Sequence, residues 1–377
     1  SQSRSCGGFI GDNDKQGKIS SCVSTGSATG EEYVGGFCGD NTGEISKSKS
    51  EGNATAKTKS NNNRCGGFIG ENSGVVKDSY AKGNATGQEY VGGFCGDNKG
   101  EISESNSEGN AKAKTKSNTN RCGGFIGENR GIVKDSYATG NATGQEYVGG
   151  FCGNNSGEIS KSKSEGSATA KTKVNINRCG GFVGENIGIV KDSSSIGSAT
   201  GEEYVGGFAG INKNDIIDCS AYGKATAKTK IHTALAGGFV GENDKGKIIS
   251  CIATGGAYSR SSSGQAKAGG FVGLNKASIM DSKASGNVYL SAGTCHKDDG
   301  CGGFVGKNDQ GGSIDGCYAE ATVETTNKKK GGGFVGEAKS KSTIKNSQCK
   351  AKILTKSGVK INTKFCENKD KKAVIQN

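Results

Sequence analysis

The most reactive side chains in this sequence are its fifteen cysteines. Thiols act as metal ligands, as nucleophiles or as disulfide partners. A zinc site would call for C-x-x-C pairs or several histidines, but the chain has no such pair and only His232 and His296. No histidine or other base recurs beside the cysteines. We therefore expect structural disulfide bonds, as in secreted proteins, and no catalytic residue, metal site or cofactor.

One short segment does gather metal-ligand chemistry. Residues 295–301 read Cys-His-Lys-Asp-Asp-Gly-Cys, with two thiols, one imidazole and two carboxylates. The simpler interpretation is a small disulfide loop that joins Cys295 to Cys301. The G-x-x-x-x-G-K sequence at 241–247 is followed by Ile248 where a phosphate-binding loop needs Ser or Thr. It therefore predicts no nucleotide site.

Pairs of lysines recur at one fixed interval along the chain. If equivalent segments stack, these lysines would form a basic stripe that could attract an acidic polysaccharide or a cell-surface glycan. Solubility of the loops is the alternative explanation for them. The stripe residues are Lys57, Lys59, Lys114, Lys116, Lys171 and Lys173, with Lys228 and Lys230 one period later.

The elements that would position these residues are repeats. The tripeptide Gly-Gly-Phe occurs twelve times and accounts for twelve of the thirteen phenylalanines. In residues 31–258 two repeat types alternate, which makes a 57-residue period that the lysines share. An asparagine follows the Phe by four residues in eleven copies, and Ala338 is the exception.

Each repeat holds short β-type segments separated by Gly and Asn, and no stretch keeps a helical apolar period. Such a repeat cannot bury its own apolar side, but stacked copies can. We therefore predict an all-β fold, a single right-handed β-solenoid that is cross-linked by disulfides. It would contain about twelve repeats, each roughly 26–33 residues long. Residues 1–355 would form the solenoid and 356–377 a tail or partial cap. Equivalent residues should stack as core ladders, with Phe37, Phe68, Phe94 and Phe125 in one and Asn41, Asn72, Asn98 and Asn129 in the other.

The repeat Gly-Gly-Phe-[Ile/Val/Cys]-Gly-x-Asn-x-Gly-x-[Ile/Val]-x-x-Ser-x-Ala resembles the GLUG motif. That motif occurs in bacterial surface adhesins and in some immunoglobulin A peptidases, with Leu where this chain has Phe. The resemblance covers residues 6 to about 355 and implies a solenoid fold and a surface location. The cysteines are not typical of the motif.

Most cysteines hold fixed places in the repeat. One set follows the Phe and the other precedes it by three residues, and both are replaced together at Ala209 and Ala236. This joint loss predicts three bonds: Cys38 to Cys65, Cys95 to Cys122, and Cys152 to Cys179. A straight strand would separate such positions by ~13 Å, so either the Gly-Gly bends the strand or the strands face each other. Cys219 with Cys251, and less closely Cys317 with Cys349, could join neighbouring coils.

Charge and composition limit the possible roles. The net charge of +12 is spread along the chain without a basic arm, which disfavours nucleic acid, and the apolar runs are too short for a transmembrane helix. We expect an extracellular or cell-surface structural or adhesive protein, not an enzyme, that forms a stalk or fibre. The alternative is a carbohydrate-binding module that uses the lysine stripe. The first repeat begins at Cys6, so we expect either a piece of a longer protein or end-to-end self-association, with Cys6 and Cys366 available for intermolecular bonds.

Overall fold

The computed structural model describes residues 4–57, 63–114, 120–171, 176–293, 296, 298–326, 331–355, 358–361, 365–369 and 374–376. They form two compact units. Unit 1 comprises Ser1–Asn175 and Phe182–Gly197, and unit 2 comprises Ile176–Gly181 and Ser198–Asn377. The described secondary structure is entirely β.

Each coil of unit 1 passes in turn through four parallel sheets. The first sheet contains Ser5–Gly7, Tyr33–Gly35, Arg64–Gly66, Tyr90–Gly92, Arg121–Gly123 and Tyr147–Gly149. The second contains Ile10–Asn13, Cys38–Asn41, Ile69–Asn72, Cys95–Asn98, Ile126–Asn129, Cys152–Asn155 and Val183–Asn186. The third contains Lys18–Ser20, Glu44–Ser46, Val75–Lys77, Glu101–Ser103, Ile132–Lys134, Glu158–Ser160 and Ile189–Lys191. The fourth contains Val23–Ser24, Ala28–Gly30, Lys49–Ser50, Ala54–Ala56, Tyr80–Ala81, Ala85–Gly87, Asn106–Ser107, Ala111–Ala113, Tyr137–Ala138, Ala142–Gly144, Lys163–Ser164, Ala168–Ala170 and Ser194–Ser195.

Unit 2 repeats this order of sheets. Its first sheet contains Arg178–Gly180, Tyr204–Gly206, Ala234–Gly237, Ala266–Gly269, Gly300–Gly302 and Gly331–Gly332. The second contains Ala209–Asn212, Val240–Asn243, Val272–Asn275, Val305–Asn308, Val335–Ala338 and Cys366–Lys369. The third contains Ile216–Ile217, Ile248–Ile249, Ser278–Met280, Ser313–Asp315, Thr343–Lys345 and Val374–Gln376. The fourth contains Ala199–Gly201, Ser220–Ala221, Ala225–Thr229, Ile252–Ala253, Ala257–Ser261, Lys283–Ala284, Val288–Ala292, Tyr318–Thr325, Gln348–Thr355 and Gly358–Ile361. The last strand pairs antiparallel with Gln348–Thr355.

Identical side chains stack along the core of each unit. In unit 1 the phenylalanine rings from Phe9 to Phe182 lie 4.7 to 4.9 Å apart and nearly parallel. In unit 2 the stack runs from Phe208 to Phe365. Val76 lies against Ile45 and Ile102 in the third sheet. This one-strand spacing confirms the β-solenoid that the repeat predicts.

Asparagine side chains form a second ladder inside each unit. The amide Nδ2 of Asn72 donates to Oδ1 of Asn98 at 2.8 Å, and Asn98 donates to Asn129 at the same distance. In unit 2 Asn243 donates to Asn275 at 2.9 Å. These side chains are fully buried. Each amide thus satisfies its neighbour, which is the condition for burying a polar group.

The glycines mainly permit close approach of the backbone. A Cβ added at Gly36 would lie 2.3 Å from the carbonyl oxygen of Gly67 on the next coil, and one at Gly66 would lie 1.9 Å from the carbonyl oxygen of Ile69 in its own coil. Most positive φ angles occur elsewhere, directly after a third-sheet strand. Asp78 and Glu104 have φ of 49° and 50° there. Gly-Gly is therefore required because no side chain fits between the coils at these positions. The left-handed conformation at the recurrent corner is instead adopted by polar residues.

Candidate functional site

The cysteines before and after the Phe fill apolar columns of the core. Cys65 aligns with Val34 and Val91 in the first sheet, and Cys38 aligns with Ile10 and Ile69 in the second. Burial raises the pKa of the Cys38 and Cys65 thiols to about 12. At neutral pH both are protonated, so they pack as small apolar side chains rather than as nucleophiles.

The structure contains none of the expected disulfide bonds among its described cysteines. Thirteen side chains are thiols. Cys38 and Cys65 belong to different sheets, and the Cys38 thiol donates to the Asp40 carbonyl at 3.1 Å. Cys95 and Cys122 repeat this arrangement, and Cys152 and Cys179 fall in different units. The solenoid is therefore held together here by its ladders, and the disulfide pairing stays a prediction for oxidised protein.

The second set of cysteines replaces serines in a polar column at the third corner. In this column each side chain donates to the carbonyl two residues earlier and accepts the backbone N–H of the preceding coil. Ser79 and Ser105 show the pattern in unit 1. In unit 2 the Cys251 sulfur accepts from the N–H of Cys219 at 3.4 Å and donates to Ile249 at 3.1 Å. Cys219 and Cys251 therefore occupy equivalent positions one coil apart.

Cys317 lies in the same column, but Cys349 does not. The N–H of Cys317 donates to Ser347 Oγ at 3.2 Å, whereas Cys349 aligns with Ala319 in the fourth sheet. Ser347 thus holds the position that would place a partner thiol beside Cys317.

The segment around His296 is organised by Asp299. Asp299 is buried and accepts the backbone N–H groups of Ala266 and His296, both at 2.9 Å. Cys301 is buried in the first sheet, and Cys295 lies outside the described residues. No group of three or more His, Cys, Asp or Glu side chains among the described residues is placed to hold a metal ion.

Half of the predicted lysine stripe can be located in unit 1. Lys57, Lys114 and Lys171 are exposed, and their backbone N–H groups donate to glycine carbonyls of the preceding coil. They recur on alternate coils. Lys59, Lys116 and Lys173 lie outside the described residues.

A belt of arginine, tyrosine and carboxylate side chains covers the first two sheets of unit 1. The Arg64 guanidinium lies 5.1 Å from the Tyr33 ring centre and 5.4 Å from that of Tyr90, and Arg121 lies 5.0 Å from Tyr90 and 5.4 Å from Tyr147. Cation–π contacts therefore link successive coils. The repeat carries a signal for this belt, because Tyr and Arg alternate four residues before the Phe.

Acidic side chains run beside this belt. Glu71 aligns with Asp40 and Asp97, and Asp97 aligns with Glu128. Arg64 Nε lies 2.5 Å from Glu71 and 3.2 Å from Asp97. Burial is the main cause that raises the pKa of Asp97 and of Glu128, and the nearby arginines only partly offset it. This stack of carboxylates is thus costly in its ionised form.

One comparison with known proteins gives a match. A family model described as the GLUG motif matches residues 301–324, a coil of unit 2 that runs from its first sheet into its fourth. The chain contains a GLUG motif. No curated protein and no solved structure matches it. Among the described residues there is no helix long and apolar enough to cross a membrane. Together, the motif and the stacked coils make this chain a structural repeat protein.

Proposed function

We propose that the chain is a non-catalytic structural element of an extracellular or cell-surface protein, where it serves as a stiff stalk or fibre subunit with an adhesive role. The observation that carries this proposal is the unbroken stacking within each unit. The coils up to the one that contains Phe334 repeat the same four sheets, and buried Phe and Asn ladders run along the stack in each unit.

Stacking of this kind resists deformation along the coil axis. To separate neighbouring coils, the backbone hydrogen bonds of four sheets, one buried amide contact and one ring contact must be lost together. Each coil also completes the core of its neighbour, since Phe68 and Phe94 are fully buried only because both of their faces are covered. A cooperative, stiff element follows from this arrangement.

End-to-end association belongs to the same proposal. Phe9 is 50% exposed, whereas Phe37 is fully buried beneath it. Another solenoid coil placed over Phe9 would continue the ring stack and pair the backbone of Ser5–Gly7. A second copy of this chain could supply that coil.

The test uses electron microscopy and sedimentation of the purified chain over a wide concentration range. We expect particles that lengthen in steps as concentration rises. Phe9→Lys should abolish the lengthening, because it places a charge on the ring stack. Val23→Lys is the matched control, since Val23 is 60% exposed in the fourth sheet of the same coil.

Stiffness is measured separately by stretching single molecules. A high unfolding force would support the stalk. Extension at a force typical of a flexible linker would contradict it, and an unchanged monomer at all concentrations would contradict the fibre. Equal loss of assembly in both lysine variants would show that Phe9 is not the contact.

A further inference from the structure

The outward face of the fourth sheet differs between the two units. In unit 1 its two central columns are nearly uniform, with threonines such as Thr55 and Thr86 in one and asparagines such as Asn53 and Asn84 in the other. In unit 2 the threonine column becomes Thr226, Tyr258, Tyr289, Glu324 and Leu354, and the asparagine column becomes Lys224, Gly256, Asn287, Thr322 and Lys352.

The inward residues between these columns do not change in character. Ala54 and Ala85 in unit 1 correspond to Ala257 and Val288 in unit 2, and all four are buried. The fold therefore needs apolar residues in this inward column and does not restrict the residue type at the outward positions. The two outward columns change while the inward column between them is kept, and this indicates a function for the outward surface.

The changed columns of unit 2 enclose a groove. Gly256 has no side chain between Lys224 and Asn287, and this gap opens a cavity of about 590 Å³ whose wall includes Tyr258, Tyr289 and Glu324. A second cavity of about 700 Å³ shares Ser285, Asn287 and Thr322 with the first. The two therefore form one elongated groove that runs across successive coils.

Aromatic and basic groups meet at one end of this groove. The rings of Tyr258 and Tyr289 stack at 4.9 Å with an angle of 11°. The ammonium groups of Lys228 and Lys224 lie 5.0 and 5.6 Å from the Tyr258 ring centre. Two cations on one ring make a site that attracts an anion, and the exposed edges of the rings offer apolar surface beside it.

The groove also offers hydrogen-bonding groups that the protein does not use. In unit 1 the Asn53 Oδ1 accepts the N–H of Asn84. In unit 2 the Asn287 amide, the Glu324 carboxylate and the Tyr289 hydroxyl form no hydrogen bond or ion pair with the described residues. Aromatic surface beside free amide, carboxylate and hydroxyl groups suits a ligand rich in hydroxyls.

We propose that this groove binds an anionic oligosaccharide. The coils lie about 4.8 Å apart, close to the length of one sugar ring, so the groove accommodates a short linear segment. Lys224 and Lys228 hold a carboxylate or sulfate group, and Asn287, Ser285 and Thr322 bind ring hydroxyls. At the far end Lys350 is paired with Glu320 at 3.5 Å, while Lys352 adds a further positive charge. Of the predicted lysine stripe only Lys228 takes part in this site, and Lys57, Lys114 and Lys171 of unit 1 do not.

Isothermal titration of the full chain tests the proposal. The probes are a sulfated tetrasaccharide from heparin, a tetragalacturonate, and cellotetraose as the uncharged control. We expect at least one anionic probe to bind with a Kd below about 1 mM and cellotetraose to bind at least tenfold more weakly. The anionic probe that binds distinguishes sulfate from carboxylate as the recognised group.

The matched variants come from the repeat itself. The double variant Tyr258→Thr with Tyr289→Thr introduces at both positions the threonine that the same column has at Thr226. Lys224→Ser introduces the serine that this column has one coil earlier, at Ser198. We expect the double tyrosine variant to weaken binding at least tenfold, and Lys224→Ser to weaken it and reduce its salt dependence. Lys112→Thr, in the corresponding column of unit 1, should leave binding unchanged.

Each possible result decides the proposal. No binding of either anionic probe, equal binding of cellotetraose, or full binding by the double tyrosine variant would overturn it. Equal weakening by Lys112→Thr would also overturn it, since that result indicates diffuse attraction to a basic surface. Circular dichroism of every variant confirms that the sheets are intact. The stalk proposal is tested by stiffness and assembly, so the two proposals can fail separately.

Discussion

At the residue scale, the ionised carboxylate of Asp97 lowers the free energy of unfolding. Its side chain is fully buried beside Glu71 and Glu128, and burial raises its pKa above the ordinary 3.8. A raised pKa means that the folded state binds the proton more tightly than the unfolded state does. The stability from this group is therefore present at low pH and is lost as pH rises through the folded pKa.

Asp97→Asn should then stabilise the protein at pH 7. Asparagine already occupies this column at Asn154, where its Nδ2 donates to Glu128 at 3.0 Å. We expect the melting temperature of Asp97→Asn to exceed that of the wild type at pH 7. The difference should shrink as pH falls and vanish below pH 3.8, where the carboxyl is protonated in both the folded and the unfolded state.

The reverse substitution is the control. Asn154→Asp adds a carboxylate between Glu128 and Glu185, so it should lower the melting temperature at pH 7 and be tolerated in acid. A pH-independent effect of either variant would show that side-chain shape, not ionisation, determines the result.

The two cysteine columns give a second prediction at this scale. Cys251 replaces serine in a polar column, so Cys251→Ser should change the free energy of unfolding by less than about 1 kcal/mol. Cys65 replaces valine in an apolar column, so Cys65→Ser should cost about 1–3 kcal/mol through an unsatisfied hydroxyl. Urea unfolding measures both, and Cys65→Val is the control that should remain stable.

Oxidation distinguishes the same columns. Equivalent residues one coil apart lie within the Cα range of a disulfide, about 4.4–6.8 Å. We expect peptide mapping of oxidised protein to recover Cys219 with Cys251. Recovery of Cys38 with Cys65, without the Cys219–Cys251 pair, would contradict this expectation and would require movement of two sheets.

At the scale of the strand and its ladder, buried amides should matter more than exposed ones. Asn98→Ala removes one acceptor of the Asn72 amide and the donor to Asn129 Oδ1, so that two buried amides each lose one hydrogen bond. We expect a loss of about 1–3 kcal/mol in the free energy of unfolding. Asn84→Ala is the matched control, because Asn84 is exposed and water can replace its contacts. Equal losses of unfolding free energy in the two variants would mean that burial of the asparagine ladder adds no stability of its own.

The strand scale also shows what could be read from the sequence. Phe68 and Asn72 recur at fixed offsets, so their stacking follows from the repeat alone. The role of the cysteines is less visible, because Cys65 and Val34 both precede their Phe by three residues but only the structure shows that the two side chains are buried in one apolar column. Phe365 is hidden for another reason. The two residues before it are not the Gly-Gly that marks the other copies, yet its ring lies 4.5 Å from that of Phe334.

The groove of unit 2 could be predicted from the sequence only in part. Tyr258 and Tyr289 are visible in the sequence, but only the register places them one coil apart on the outward face. The gap at Gly256 is equally hidden, since glycine is common throughout the chain. Surface sites on a solenoid depend on which columns are adjacent, and that information comes from the fold.

At the scale of the whole molecule, the double repeat has a physical meaning. Tyr and Arg alternate from coil to coil in unit 1, so that Arg64 lies between Tyr33 and Tyr90. The carboxylates beside them, such as Glu71, are neutralised by the same arginine. Two coils, rather than one, are therefore the smallest piece that repeats both shape and charge.

Two deletions of different length test this unit of construction. Removal of residues 88–144 takes out one complete double repeat and joins Gly87 to Gln145, which recreates the sequence around Gln88. The Tyr–Arg alternation survives, and stability should fall only by the loss of two coil interfaces.

Removal of residues 64–89 takes out a single coil. It brings Tyr33 against Tyr90 and Asp40 against Asp97 without Arg64 between them. We expect the shorter deletion to be the more destabilising, as measured by urea unfolding at pH 7. The deficit should shrink in acid, where the facing carboxylates are protonated. If the loss of stability simply follows the length of chain removed, the double repeat reflects only the history of duplication and has no energetic role.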